Sequence, residues 1–255
     1  MVRYQGNKSK YGSKIVNHIR GLCGLDSTLW DLCCGSGEIS AAWARKVNMI
    51  DLGPWGKYWR IIYELKKSGL KMPEVTLQSD VAYESFVRRS LIKAAPLNDV
   101  QWALTFLGLQ REAFSGKAVD VVAGHWKHPG FSQSFNLEKY RRAWERSWGI
   151  DIQFAQQKDI NDLTFTLKEV VYIDPDYKDT TGYGQSGSKR TVDVRKFIER
   201  NKHCDIFVSH HYRIEDVAWC TLFDVSVEGT GREARGSSKD ETELLHFWRG
   251  IREES

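Results

Sequence analysis

The stretch TLWDLCCGSGEISAAWARKVNMID, residues 28–51, decides the fold class. Residues 28–33 form a compact run of strand-forming side chains. The run enters a glycine turn, Cys34-Gly35-Ser36-Gly37-Glu38, after which residues 39–46 have helical spacing. Residues 47–51 are a second short strand, ending in Asp51, and residues 57–67 return to helical spacing behind Gly53-Pro54. Strand, glycine turn, helix and strand make a βαβ unit, and such a unit starts a parallel sheet.

Outward from this unit, residues 3–12 read as a loop. Residues 14–22 read as a helix with Ile15, Ile19 and Leu22 on one face. The middle of the chain changes character. It has helical patterns at 79–94, 97–110 and 137–148, with a polar stretch at 116–133. The α/β rhythm resumes with strands at 152–155, 170–173 and 205–209 and a helix at 192–200, and closes with strands at 222–227 and 243–248. The expectation is an α/β protein whose sheet is built from residues 1–69 and 151–255, with a helical insertion over 70–150.

Composition narrows the classes. A chain of 255 residues that is 41% hydrophobic can bury a sizeable core. Its formal charge of +4 permits a nucleic-acid partner without requiring one. Ten tryptophans supply aromatic area for packing or for a flat ligand. The five cysteines form no CxxC pair, so neither a zinc site nor a disulfide framework is indicated. His203, His210 and His211 have no metal-ligand spacing, and no metal is expected. There is no apolar run of membrane-spanning length and no signal peptide at the N-terminus, which favours a cytoplasmic location away from membranes.

Two stretches carry chemistry. Glycines at 35 and 37, just past a strand, let the backbone come close to a ligand, although a tight turn needs them too. Asp51, at the end of the next strand, is placed to accept from ribose hydroxyls, or alternatively to cap a helix. The second stretch is Val170-Val171-Tyr172-Ile173-Asp174-Pro175-Asp176-Tyr177. It is a buried strand that stops at an acid, a proline and an aromatic, where ligands of open α/β sheets bind. It also reads as a strand ending in an Asp-Pro turn.

Taken in order, these motifs resemble the Dam-like, D12-class family of DNA adenine N6-methyltransferases, whose sheet is seven-stranded, mostly parallel and Rossmann-like. Tyr4-Gln-Gly-Asn-Lys8 looks like the family's aromatic–glycine–lysine opening, and the segment from Asp31 through Cys33 and Gly35 to Gly37 like its cofactor turn. Asp51 matches the ribose-binding acid. Asp159-Ile160 is similar to the element that holds the cofactor adenine, and Asp174-Pro175-Asp176-Tyr177 sits where the family has Asp-Pro-Pro-Tyr. Thr180-Thr181-Gly182-Tyr183-Gly184 resembles the loop that follows in phage-type members. The resemblance covers most of the chain except the middle, which it makes a helical target-recognition insertion.

The resemblance implies S-adenosylmethionine as cofactor, S-adenosylhomocysteine as product, and double-stranded DNA with a flipped adenine as partner. Asp174 and the Pro175 carbonyl would accept the two N6 hydrogens, Tyr177 would stack on the base, and Asp174 would also line the cofactor site. Two positions depart from the family pattern. Asp176 replaces the second proline, and Cys33 replaces an aromatic of the turn. A catalytically weak DNA-binding relative and an RNA adenine methyltransferase are the alternatives. Lys189, Arg190 and Arg195, together with Lys127 and Arg232, are candidate phosphate contacts, each of which also reads as ordinary solvated charge. Tyr140, Trp144 and Trp148 recur at helical spacing and read as core packing.

Overall fold

A computed structural model of the chain describes residues 8–74, 98–112, 119–122, 125–127, 136–175, 192–215, 217–226 and 243–251. A 3-10 turn, Lys8–Lys10, leads into α1 (Gly12–Cys23), β1 (Leu29–Leu32), α2 (Glu38–Trp43), β2 (Val47–Asp51) and α3 (Pro54–Lys67). Then come α4 (Asp99–Glu112), β3 (Asp120–Val122), β4 (His125–Lys127), α5 (Leu137–Gly149) and β5 (Ile152–Gln157). A second 3-10 turn, Ile160–Asp162, precedes β6 (Val170–Ile173), α6 (Val194–Arg200), β7 (Asp205–His210), β8 (Thr221–Asp224) and β9 (Leu244–Trp248).

Seven strands form one sheet in the order β5-β2-β1-β6-β7-β9-β8. The pairs β1–β2, β1–β6, β2–β5 and β6–β7 are parallel, and β9 runs antiparallel to both β7 and β8. The protein is therefore α/β with a mostly parallel seven-stranded sheet, compatible with a Rossmann-like fold. From β1 the chain builds outward through β2 to β5, then returns to β1's other side with β6. The switch point lies between β1 and β6, and a crevice forms beyond the carboxyl ends of strands at such a point.

The strand sequences explain why both faces are covered. In β6, Val170 and Tyr172 enter one apolar cluster while Val171 and Ile173 enter the other. In β7, Phe207 faces the first cluster, and Ile206 and Val208 the second. Period-two alternation with apolar residues on both sides is the mark of a strand buried on both faces. The first cluster takes Ile15, Val16 and Ile19 of α1 and Trp55, Tyr58, Trp59, Ile61 and Ile62 of α3. The second is closed by Phe197 and Ile198 of α6 together with Ile160 and Phe165.

The described part of the middle region shares the first cluster. Trp102 and Phe106 of α4 and Tyr140 and Trp144 of α5 pack there with Trp55 and Tyr58. Tyr58 donates to Ser147 Oγ at 2.8 Å, and Lys66 Nζ donates to the carbonyls of Trp148 and Ile150 at 2.9 and 2.6 Å. Removing one such buried ring would cost about 3–5 kcal/mol. The polar stretch at 116–133 contains the antiparallel pair β3–β4, a region in which the sequence reading has no strand. Its Trp126 is buried against Trp102, with ring centroids 5.4 Å apart. The helical pattern at 79–94 lies outside the described residues.

Helix α2 ends a turn earlier than its spacing suggests, because Ala44 adopts the left-handed region (φ 52). Among the described residues no helix is long and apolar enough to cross a membrane.

Candidate active site at the sheet switch point

The carboxyl ends of β1, β2, β5 and β6 meet along one edge, and each delivers a residue singled out from the sequence. After β1, Cys33 and Gly35 have positive φ (58 and 46), as does Gly37 (72). Trp59 Nε1 donates to the Gly35 carbonyl at 2.7 Å. A Cβ on Gly37 would come within 2.6 Å of the Trp59 ring, so glycine there serves both the turn and the approach of α3. Cys33 is half-buried beside the second apolar cluster.

Asp31 lies inside β1, 1% exposed, and its Oδ2 accepts from Ser40 N at 3.1 Å and Ser40 Oγ at 2.6 Å. The N-cap of α2 is Gly37, which has no side chain to offer, so Asp31 takes over that capping role from the neighbouring strand. Burial pushes its carboxyl up to about 7, against the pull of the Ser40 bonds. Asp51 is held by two backbone amides, Gly35 N to Oδ2 at 2.9 Å and Gly53 N to Oδ1 at 2.7 Å. Burial raises its pKa and the two amides pull it back. Each oxygen keeps a second lone pair.

Asp159 follows β5, where Lys158 N bonds the Asp51 carbonyl at 3.1 Å, so the ends of β2 and β5 are adjacent. Its carboxylate caps the 3-10 turn through Asn161 N at 2.9 Å, and the Ile160 side chain goes into the core.

Asp174 emerges from β6 directly beside β1, its amide donating to the Leu32 carbonyl at 3.3 Å. Lys8 Nζ sits 3.0 Å from Asp174 Oδ1 and 3.0 Å from Glu243 Oε1. Ser209 Oγ donates to the same Asp174 Oδ1 at 3.2 Å, and Tyr172 OH lies 2.8 Å from Ser209 Oγ. Because serine has a single hydroxyl proton, Tyr172 is the donor in that second bond. Among the described residues, the hydrogen-bond and ionic partners of the Asp174 carboxylate, Lys8 and Ser209, both meet Oδ1. Pro175, the next residue, is buried.

The charges respond to one another. Burial works against the Lys8 ammonium, but Asp174 and Glu243 outweigh it and leave its pKa above the usual lysine value. Burial raises Asp174, opposed by Lys8, Ser209 and His211. Glu243 is raised by burial as well, opposed by Lys8 and reinforced by Asp174. His211 Nδ1 stands 3.4 Å from Glu243 Oε2. His210 is lowered to about 4, first by burial and then by His211, and is neutral near pH 7. Among the described residues no group of three or more His, Cys, Asp or Glu side chains could hold a metal ion.

Glu243, Ser209, Tyr172 and Ser40 are neighbours of the candidate residues that the sequence reading does not single out. Arg195 is an exposed residue of α6, paired with Glu199 at 3.0 Å. Lys127 belongs to the β3–β4 hairpin by its backbone. Tyr4, Asp176, Tyr177, Lys189, Arg190 and Arg232 lie outside the described residues, as does the 180–184 loop.

The class the fold and this edge define is an α/β protein with a buried acid–lysine–acid cluster at the switch point of its sheet. No protein-family model matches the chain, and no curated protein matches it either.

Proposed function

We propose that the protein is an S-adenosylmethionine-dependent methyltransferase acting on the exocyclic amine of adenine in nucleic acid, with double-stranded DNA the preferred substrate and the cytoplasm its place of work. The observation that carries this reading is Asp174. It stands at the switch point with Oδ1 tied to Lys8 and Ser209. A seven-stranded, mostly parallel sheet is the one the sequence resemblance implies.

The crevice residues suit the cofactor. Asp51 has an unused lone pair on each oxygen for ribose hydroxyls, and Asp159 stands next to it at the adenine end. The acids around Lys8 favour a positive ligand. When bound, S-adenosylmethionine supplies an electrophilic methyl group on a sulfonium. Adenine N6 is a poor nucleophile because its lone pair is delocalised into the ring. Asp174 Oδ2 accepts one N6 hydrogen and the Pro175 carbonyl the other, which turns the nitrogen lone pair out of conjugation. Anchoring Oδ1 fixes the carboxylate plane, so the acceptor is in place before the base arrives, and such preorganisation is a main source of rate. No strong base is needed beforehand, since alkylated N6 loses its proton readily. Tyr177 is assigned to stack on the flipped base, a contact worth about 1–3 kcal/mol.

The test is transfer of labelled methyl from the cofactor to unmethylated duplex DNA, with single-stranded DNA and RNA in parallel arms. Label in N6-methyladenine is expected, with Asp174→Ala lowering kcat a hundredfold or more at saturating cofactor. A protein that binds the cofactor but transfers nothing to adenine in any arm would refute the reading.

A further inference from the structure

We propose that Glu243 is a positioning residue, which holds the Lys8 ammonium against Asp174 and so fixes the orientation of the catalytic carboxylate. The inference rests on the function proposed above for Asp174, and adds a residue that neither the motifs nor the resemblance contains.

Glu243 is fully buried and immediately precedes β9. Because β9 runs antiparallel to β7, with Leu244 opposite His210, its first residues reach the edge where the parallel strands end. Its backbone is held there by the segment after β8, with Val225 N donating to the Glu243 carbonyl at 3.0 Å and Glu243 N donating to Ser226 Oγ at 3.0 Å. Lys8 is placed differently. It opens a 3-10 turn of three residues near the N-terminus, and a lysine ammonium rides on a flexible four-carbon stem. Movement of that stem carries Asp174 Oδ1 with it, because the ammonium lies 3.0 Å from that oxygen. A second carboxylate at the same 3.0 Å, on a fixed backbone, gives the ammonium two anchors. His211, 46% exposed, has its Nδ1 3.4 Å from the other Glu243 oxygen. Ser209 and Tyr172 secure Asp174 Oδ1 from the sheet itself.

Two substitutions separate geometry from charge. Glu243→Gln keeps an oxygen for Lys8 and removes the charge, whereas Glu243→Ala removes both. For Glu243→Ala, kcat is expected to fall about a hundredfold, the scale of a misplacement near 1 Å, with the cofactor Kd within about threefold of native. For Glu243→Gln, the loss in kcat stays below tenfold. The acid limb of its pH–kcat profile moves to lower pH, because Asp174 no longer shares Lys8 with a second carboxylate.

A readout that does not depend on turnover accompanies these. Acylation of Lys8 by acetic anhydride, followed by mass spectrometry, should be slow in the native protein and at least tenfold faster in Glu243→Ala, at a temperature where both are folded. Lys8 reactivity unchanged in Glu243→Ala overturns the inference. So does a loss of kcat and cofactor binding in parallel in both variants, which marks a merely structural role. If the native protein transfers no methyl group, the proposed function fails on its own, and Lys8 protection still decides the role of Glu243.

Discussion

Asp31→Asn isolates the cost of an ionised acid inside β1. The Asp31 carboxyl, ordinarily at 3.8, is held at about 7 by burial, and the residue is 1% exposed. A folded pKa above the unfolded one means that the contribution to stability is complete below the unfolded value and is lost as pH rises through the folded value. The window therefore runs from about pH 4 to pH 7. At roughly 1.4 kcal/mol per pH unit, the native protein forfeits about 4 kcal/mol across it through this one group. Asparagine keeps an oxygen for Ser40 N and does not titrate, so the cap on α2 survives.

The assay is urea unfolding followed by tryptophan fluorescence, at half-unit steps from pH 5 to pH 8. The stability of Asp31→Asn relative to native should rise by about 2–3 kcal/mol between pH 5 and pH 7, then level off. Curves for the two proteins that stay parallel over this range would refute the reasoning, since they would mean that Asp31 ionises in the folded protein without penalty.

Two further outcomes follow from the same geometry. Lys8→Met leaves Asp174 and Glu243 without their shared ammonium, and breaking a buried pair costs about 3–5 kcal/mol. Both carboxyls are already raised by burial and rise further, so the penalty is larger at pH 8 than at pH 5, and equal penalties in urea melts at the two values would count against the cluster. Gly37→Ala should destabilise by more than Gly69→Ala. Both glycines have positive φ (72 and 77), but only at Gly37 would the new Cβ strike a neighbour, the Trp59 ring. Left-handed strain alone is about 1–2 kcal/mol, and a gap between the two variants in thermal or chemical melts measures the collision.

The parts of the fold legible in the sequence are those with local signals. Leu29–Leu32, the glycine turn and Val47–Asp51 announce themselves through apolar runs, glycines and a closing acid, all within one βαβ unit. The β3–β4 hairpin does not, because its strands are three residues each and lie in polar sequence. Trp126 sits among cations along the chain yet is buried, since its partners Trp102 and Phe106 come from α4.

The candidate site divides the same way. Asp174, Asp51, Gly35 and Gly37 stand at strand ends and can be picked out by position. Ser209 reaches Asp174 only because β7 pairs with β6, and Glu243 only because β9 turns back antiparallel. Ser40 was hidden for another reason: a helix normally caps itself, and here a strand residue does the capping.

The order of the last strands has a consequence during synthesis. Among the described strands β8 pairs with β9 alone, and β9 separates it from β7. As the chain leaves the ribosome, Thr221–Asp224 therefore emerges with no strand to join until Leu244–Trp248 has followed. At about 5–20 residues per second that interval lasts roughly one to five seconds. Over that time the edge of β7 is open to other chains, and Lys8 and Asp174 wait for Glu243. The last section of the sheet to be translated is thus the section that completes the charged cluster.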